Sequence, residues 1–333
     1  MKKIKEPSAK VLDKIRLIGS KNKEQSLAGL SYFAAAMEDV LRKGMLSGDI
    51  TGDIFEVIKL EENATAEFPL DFIAPGTEDD FVAFTIPNHG YIPERNVEGD
   101  YVMLPIYDIG AAIDFNRKFA RDARYDVAGR AMEVMQAQFT KKINDDAWHT
   151  IISAGYDRGL TVIDSDGAVG TLSKRLISLG KVIMRRNGGG NSTSLNRGKL
   201  TDMYLSPEGM EDMRNWNVDE VDEITRREIY LAEDGTINRV FSVNLHDLDE
   251  LGEGQEYQLY LTTTLGGTLP GSKVELAVGL DLSRRDSFVM PVREYPRIEA
   301  DDTLKRQRRV GWFGDASLGV GCLDGRRVMF MAY

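Results

Sequence analysis

The sequence is poor in the residues from which most enzyme sites are built. One cysteine, Cys322, excludes an internal disulfide and any multi-cysteine zinc site. Three histidines, His89, His149 and His246, lie far apart, none in a metal-ligand spacing such as HExxH. No stretch approaches the roughly 18 apolar residues of a membrane span. The basic start, MKKIKEPSAKVLDKIR, has no apolar block or small-residue cleavage site behind it, so neither a membrane partner nor a secretory signal is expected. A surplus of positive charge is missing too. The 53 acidic residues exceed the 42 basic ones, and the net charge of -11 argues against a protein built mainly to grip nucleic acid. No repeat of 20–50 residues is found.

What is present suits a large folded protein. The 333 residues are 42% hydrophobic and 29% charged, enough for a sizeable core and roughly two domains. The charge is unevenly spread. Residues 1–23 hold eight Lys/Arg against two carboxylates, a net of +6; residues 53–100 hold twelve Asp/Glu against Lys59 and Arg95, a net of -10. Such asymmetry reads either as a solvated tail and a solvated loop, or as a basic arm and an acidic segment that meet within or between chains.

Periodicity gives the elements. Residues 1–24 read as a polar arm, and 25–46 as a helix, with Leu27, Leu30, Phe33, Met37 and Leu41 at three- and four-residue steps. Residues 60–106 read as strands, with Phe68, Leu70 and Phe72 alternating with polar residues. Five of the ten prolines fall in this stretch, which puts these strands at edges. A long two-stranded arm is marginal alone and needs a body or a neighbour to lie on. The spacing predicts a long helix over 115–154, striped by Ala128, Met132, Met135, Phe139, Ile143 and Ile151, with Gly155 as its stop. A second helix is expected over 171–187, capped by Thr171 or Ser173. The loop 187–199 follows, then a buried strand at 201–205 and a helix from Ser206-Pro207 through Trp216. Strands are expected at 256–264, 273–280, 286–293, 306–314, 317–323 and 326–331.

Catalytic motifs fail one by one. Gly198-Lys199 lacks the phosphate-loop glycine and hydroxyl, since Thr193 and Leu200 stand in their places. Gly188-Gly189-Gly190 follows a helix and lacks the GxGxxG spacing. Asp145 and Asp146 beside His149 share a helix face but read better as a surface pair than as an acid–base cluster. Asp164-Ser165-Asp166-Gly167 has no closing Glu, so it reads as a turn rather than a calcium loop. Lys305, Arg306, Arg308 and Arg309 form the densest basic cluster, beside Asp301 and Asp302. A DNA-backbone contact is one reading; pairing with acidic neighbours at a subunit junction is the better one. No enzyme activity, cofactor or metal is expected.

Three stretches resemble the major capsid protein of tailed phages, with the Hong-Kong-97-type fold. The strand pair 60–106 runs into YDIGAAIDFNRKFARD and the long helix AGRAMEVMQAQFTKKINDDAWHTIISAG, which is similar to that family's extended loop and spine helix. TDMYLSPEGMEDMRNW resembles its axial strand and helix, and DTLKRQRRVGWFGDASLGVGCLDGRRVMFM its closing peripheral strands. The resemblance implies an α+β subunit with an N-terminal arm (1–52), an extended β-hairpin loop (53–106), a peripheral domain with a long spine helix (107–160 and 284–333) and an axial domain (161–283). It implies self-assembly as hexamers and pentamers into an icosahedral shell, the head of a bacteriophage. Double-stranded DNA would be enclosed and touched only weakly, and the chain would reside in the virion capsid. Scaffolding, portal and decoration proteins would be partners. Lys2, Lys3 and Lys5 of the arm, Glu67, Asp71, Glu78, Asp79 and Asp80 of the loop, and Arg306, Arg308 and Arg309 become intersubunit candidates.

The chain also departs from some family members. No lysine occurs between Lys59 and Lys118, so no lysine–asparagine crosslink from this loop is expected. Only about 50 residues precede the loop, so a separate scaffolding protein, or a chain already trimmed, is expected. The main alternative is an encapsulin-type nanocompartment shell, which resembles the family with a shorter start.

Overall fold

The structure is a computed structural model. It describes residues 25, 28–29, 51–61, 64–69, 101–118, 125–187, 198–216, 239–283, 285–301 and 303–333. The expected arm, most of the 25–46 helix, the loop core 70–100 and the loop 188–197 lie outside the described residues. The chain divides into two compact units. One comprises Met1–Ala66, Met103–Ala147 and Val289–Val320; the other comprises Glu67–Val102, Trp148–Phe288 and Gly321–Tyr333.

The first unit is built on a sheet of β1 (Glu56–Lys59), β4 (Tyr107–Asn116), β10 (Phe288–Ala300) and β11 (Arg309–Leu318), in the order β1-β10-β11-β4. β1 runs parallel to β10, while β4, β10 and β11 are antiparallel. The β4–β11 ladder is unbroken over ten residue pairs, from Arg309↔Asn116 to Leu318↔Tyr107. Ile109, Phe115, Trp312, Ala316 and Leu318 are buried, and Phe115 packs on Trp312 with ring centroids 5.5 Å apart. Residues between them, such as Asp108, Phe313 and Asp315, are exposed. This alternation marks a sheet with one covered face. Strand β4 corrects the sequence reading, which began the helix at 115. The Gly/Ala-rich YDIGAAIDFN has weak strand propensity alone, and its ladder to β11 makes it a strand.

The long helix α1 spans Tyr125–Arg158, 34 residues, about 51 Å at 1.5 Å per residue. Met135, Phe139, Ile143, Ala147 and Ile151 form its buried stripe, as the spacing predicts. Gly155 does not stop it. A Cβ there would stand 2.5 Å from the Phe330 ring, so this glycine admits an aromatic ring against the backbone. The stop comes at Gly159, whose φ of 65° supplies the left-handed residue that ends the helix.

The second unit centres on a six-stranded sheet. Its strands are β5 (Thr161–Ile163), β6 (Asp202–Leu205), β7 (Arg239–Val240), β8 (Val243–Asp247), β9 (Leu276–Leu280) and β13 (Val328–Ala332), in the order β5-β13-β9-β6-β8-β7. Every residue of β6, β9 and β13 is buried, which makes these strands apolar runs rather than alternating ones. Two helices pack on this core. α2 (Lys174–Asn187) is capped by Ser173, whose hydroxyl accepts from the Leu176 amide at 3.2 Å. α3 (Pro207–Arg214) follows the Ser206 cap and its first-turn proline, with the Ser206 hydroxyl accepting from the Gly209 amide at 3.2 Å.

The expected strand at 256–264 is instead the helical turn α4 (Glu256–Leu259) followed by a π-helical turn over Tyr260–Thr264. Tyr257 and Leu261, four residues apart, are the buried pair, and Tyr257 stacks on Trp148 at 5.8 Å. The expected strand from 306 starts later: Thr303–Gln307 is a 3-10 turn, and Arg308 has a φ of 55° before β11 begins. The expected strand from 326 likewise opens as a 3-10 turn, Gly325–Arg327, before β13.

Candidate functional site

The groups that resembled an acid–base or metal site are in structural use. Asp146 accepts from the Tyr107 hydroxyl at 2.9 Å and from Lys142 at 2.7 Å. Burial pushes the Tyr107 hydroxyl up, and the Asp146 charge and hydrogen bond add to it. His149 stacks on Tyr260 with ring centroids 4.0 Å apart. The Asp164–Gly167 stretch is the expected turn. Asp164 accepts from the Ser173 hydroxyl at 2.6 Å and from the Asp166 amide at 3.3 Å, and Arg175 bridges both carboxylates. The Ser173 hydrogen bond leads in holding the Asp164 carboxyl below its usual range. Among the described residues no group of three or more His, Cys, Asp or Glu is placed to hold a metal, and no helix is long and apolar enough to cross a membrane. A cavity of about 250 Å³ in the second unit is lined by four glycines and by Thr161, Leu261 and Phe330 among others. Tyr156 is its one titratable lining group, so the cavity has no nucleophile–base pair.

Three polar clusters are buried in the second unit. Arg327, 4% exposed, forms an ion pair with the fully buried Asp281 and lies 3.6 Å from Asp324. Asp281 also accepts from the Lys199 amide at 2.9 Å and the Ser283 amide at 3.0 Å. Glu275 accepts from the Ser206 hydroxyl at 3.1 Å and the Glu253 amide at 3.2 Å, and Ser206 also meets the Tyr333 hydroxyl at 3.1 Å. Burial raises the Glu275 carboxyl above its ordinary range, against those two hydrogen bonds and with help from Glu208 and Glu253. At Asp202, burial pushes the carboxyl up, but hydrogen bonds from His246, Thr201 and Asn244 outweigh it and the net direction is down. These groups lock strands in register. Cys322 fits the same picture: burial pushes its thiol up to about 12, the mark of an inert side chain.

What remains is surface. Of the intersubunit candidates, Lys2, Lys3, Lys5, Asp71, Glu78, Asp79 and Asp80 lie outside the described residues. Glu67 sits exposed on β2 (Glu67–Pro69), which pairs with β3 (Tyr101–Met103). Arg306 falls in the 3-10 turn before β11, and Arg308 is exposed beside it. Arg309, half-exposed, forms an ion pair with Asp114 of its own chain, at the end of the β4–β11 ladder. The sequence reading missed two exposed side chains on β3, Tyr101 at 67% and Met103 at 65%. Their alternation with Val102 was legible, but not their exposure.

No protein-family model matches the chain, and no curated protein matches it in sequence. Solved structures do match. A structure of Gordonia phage Cozz aligns over 85% of both chains, with 11% identity and a TM-score of 0.57. The capsid structure of cyanophage P-SCSP1u aligns over 85% of this chain and 87% of its own, with 11% identity and a TM-score of 0.56. The mature capsid of bacteriophage PhiM1 aligns over 84% of this chain and 85% of its own, with 12% identity and a TM-score of 0.55. The long helix, the sheet with one covered face and the buried sheet among the described residues therefore give this chain an α+β fold shared with these phage capsid structures, the Hong-Kong-97-type fold.

Proposed function

We propose that this chain is the major capsid protein of a tailed phage, a structural protein and not an enzyme. It self-assembles as hexamers and pentamers into an icosahedral shell that encloses double-stranded DNA, and it resides in the virion capsid. The observation that carries this reading is the shared fold over about 85% of the chain, with phage capsids among the matches. The exposed Tyr101 and Met103 support it, because large apolar groups exposed next to each other on a strand favour a protein partner. In this reading residues 1–52 are the arm, 53–106 the extended loop, 107–160 with 284–333 the peripheral domain, and 161–283 the axial domain. The arm lysines Lys2, Lys3 and Lys5 pair with loop carboxylates of a neighbouring subunit, and Arg306, Arg308 and Arg309 face another junction. Scaffolding, portal and decoration proteins complete the particle.

Negative-stain electron microscopy with size-exclusion mass tests the reading. Closed shells, or rings of five and six, are expected when the chain is produced alone or with its neighbouring genes. A monomer under both conditions overturns it. The contents of the shells separate a virus, which holds DNA, from an encapsulin-type compartment, which holds an enzyme. Reversing Lys2, Lys3 and Lys5 to Glu is expected to impair assembly with unchanged circular dichroism; a normal shell yield removes the pairing.

A further inference from the structure

Helix α2 has two unlike faces. Leu176, Ile177, Gly180 and Met184 are buried in the core of the second unit. The outward positions hold Lys174, Arg175, Lys181, Arg185 and Arg186 with Ser178 and Val182, and the helix contains no acidic residue. This face carries five cations and no acidic residue of its own helix, on a chain of net charge -11.

Helix stability does not call for the arrangement. Arg185 and Arg186 suit the negative end of the helix dipole, but Lys174 and Arg175 stand at its positive end, with no carboxylate in the first turn. Arg175 is offset by Asp164 and Asp166. Lys181 donates to a neutral carbonyl, that of Phe241, and so keeps its charge. That bond ties α2 to the β7–β8 turn, where Phe241 and Ser242 hold φ values of 50° and 65°, costly for residues other than glycine.

We propose that this face, Lys174 to Arg186 of α2, binds the phosphate backbone of double-stranded DNA without regard to sequence. The helix presents its cations over about 18 Å of length, against a duplex that carries one charge per roughly 1.7 Å of axis. No base-reading side chain is needed, and the overall negative charge keeps the contact weak and reversible. The inference rests on the capsid reading for its biological setting, since packaged DNA is what the face would meet.

The test is fluorescence anisotropy of a labelled 20-base-pair duplex with the full chain, from low to physiological salt. Wild type is expected to bind at low salt and to weaken linearly on a log–log salt plot. The double variant R185E/R186E is expected to lose at least about tenfold at low salt and to lower the slope by about two. R130E/R297E makes the same charge change at two other exposed arginines and is expected to bind like wild type. R185Q/R186Q gives the milder series should the reversal disturb folding. Equal losses from both reversals, or none from R185E/R186E, overturn the proposal. So does a labelled peptide of residues 67–84 that binds through Arg185 and Arg186 when the duplex does not, because the partner is then an acidic segment of another copy. Electron microscopy of the wild type keeps the two ideas apart: shells without duplex binding sink this inference alone, and no shells sinks the capsid reading.

Discussion

The two units bury their sheets differently. In the second unit β6, β9 and β13 are buried at every residue, and a single apolar cluster joins both helices to the sheet. In the first unit β4 and β11 alternate, so that Phe313 and Asp315 face outward while Trp312 and Ala316 face in. A sheet covered on both sides is complete within its own chain. A sheet covered on one side leaves a face on which other molecules can act. Full burial thus marks β6, β9 and β13 of the second unit, while β4 and β11 of the first keep an exposed row.

The contrast can be broken first at Arg327. Truncating it to Ala leaves Asp281 buried with backbone and serine donors but no counter-charge. A loss of about 3–5 kcal/mol is expected, confined to the second unit's transition in denaturant unfolding. A loss under about 1 kcal/mol would mean that the pair is dispensable. Next come two glycines. Gly155→Ala places a methyl 2.5 Å from the Phe330 ring and is expected to cost about 1–3 kcal/mol; Gly110→Ala on β4 meets nothing closer than 3.6 Å and is expected to stay within about 0.5 kcal/mol. Equal costs would show that Gly110 on β4 is packed as closely as Gly155 on α1.

Acidity sharpens the same line. The folded Glu275 carboxyl titrates above its unfolded value, so the folded state holds the extra proton between the two. Its contribution is complete below the unfolded value and is lost as pH rises through the folded one. Glu275→Gln is therefore expected to stabilise the second unit at pH 7 and to flatten that part of its pH dependence, read from thermal melts between pH 4 and 7. A variant less stable at pH 7 would refute this. Asp164 and Asp202 work in the opposite direction: their stability is present above the unfolded value and fades as pH falls through the folded one. The smallest effect is expected at Arg309→Ala. Its ion pair with Asp114 is half-exposed and should contribute under about 1 kcal/mol to the first unit. A larger loss would mark that end of the ladder as structural rather than free for a partner.

Local signals explain what the sequence made legible. Ser206-Pro207 announces a helix start because a serine oxygen and a proline both suit the first turn, and the structure has them there. The stripe Met135–Phe139–Ile143–Ala147–Ile151 repeats every four residues, so α1 could be read directly. The larger misreadings come from distant partners. EYQLYLTTT alternates like a strand, but Tyr257 and Leu261 are drawn in on a helical period, Tyr257 by stacking on Trp148. Gly155 looks like a stop until Phe330, 175 residues later, is seen to need the room. Among the proposed junction residues, Arg309 has a described side-chain ion pair, and its partner Asp114 is nearly two hundred residues away in sequence.

Strand β13 lies between β5 and β9, pairing Phe330 with Thr161 on one side and with Val278 on the other. On the ribosome, β5 and β9 are made well before the strand that separates them. Until residues 328–332 emerge, the second unit has two open strand edges and no finished sheet, and its longest closure spans almost the whole unit. The polypeptide thus carries its own clock: the sheet of the second unit can close only once residues 328–332 are available.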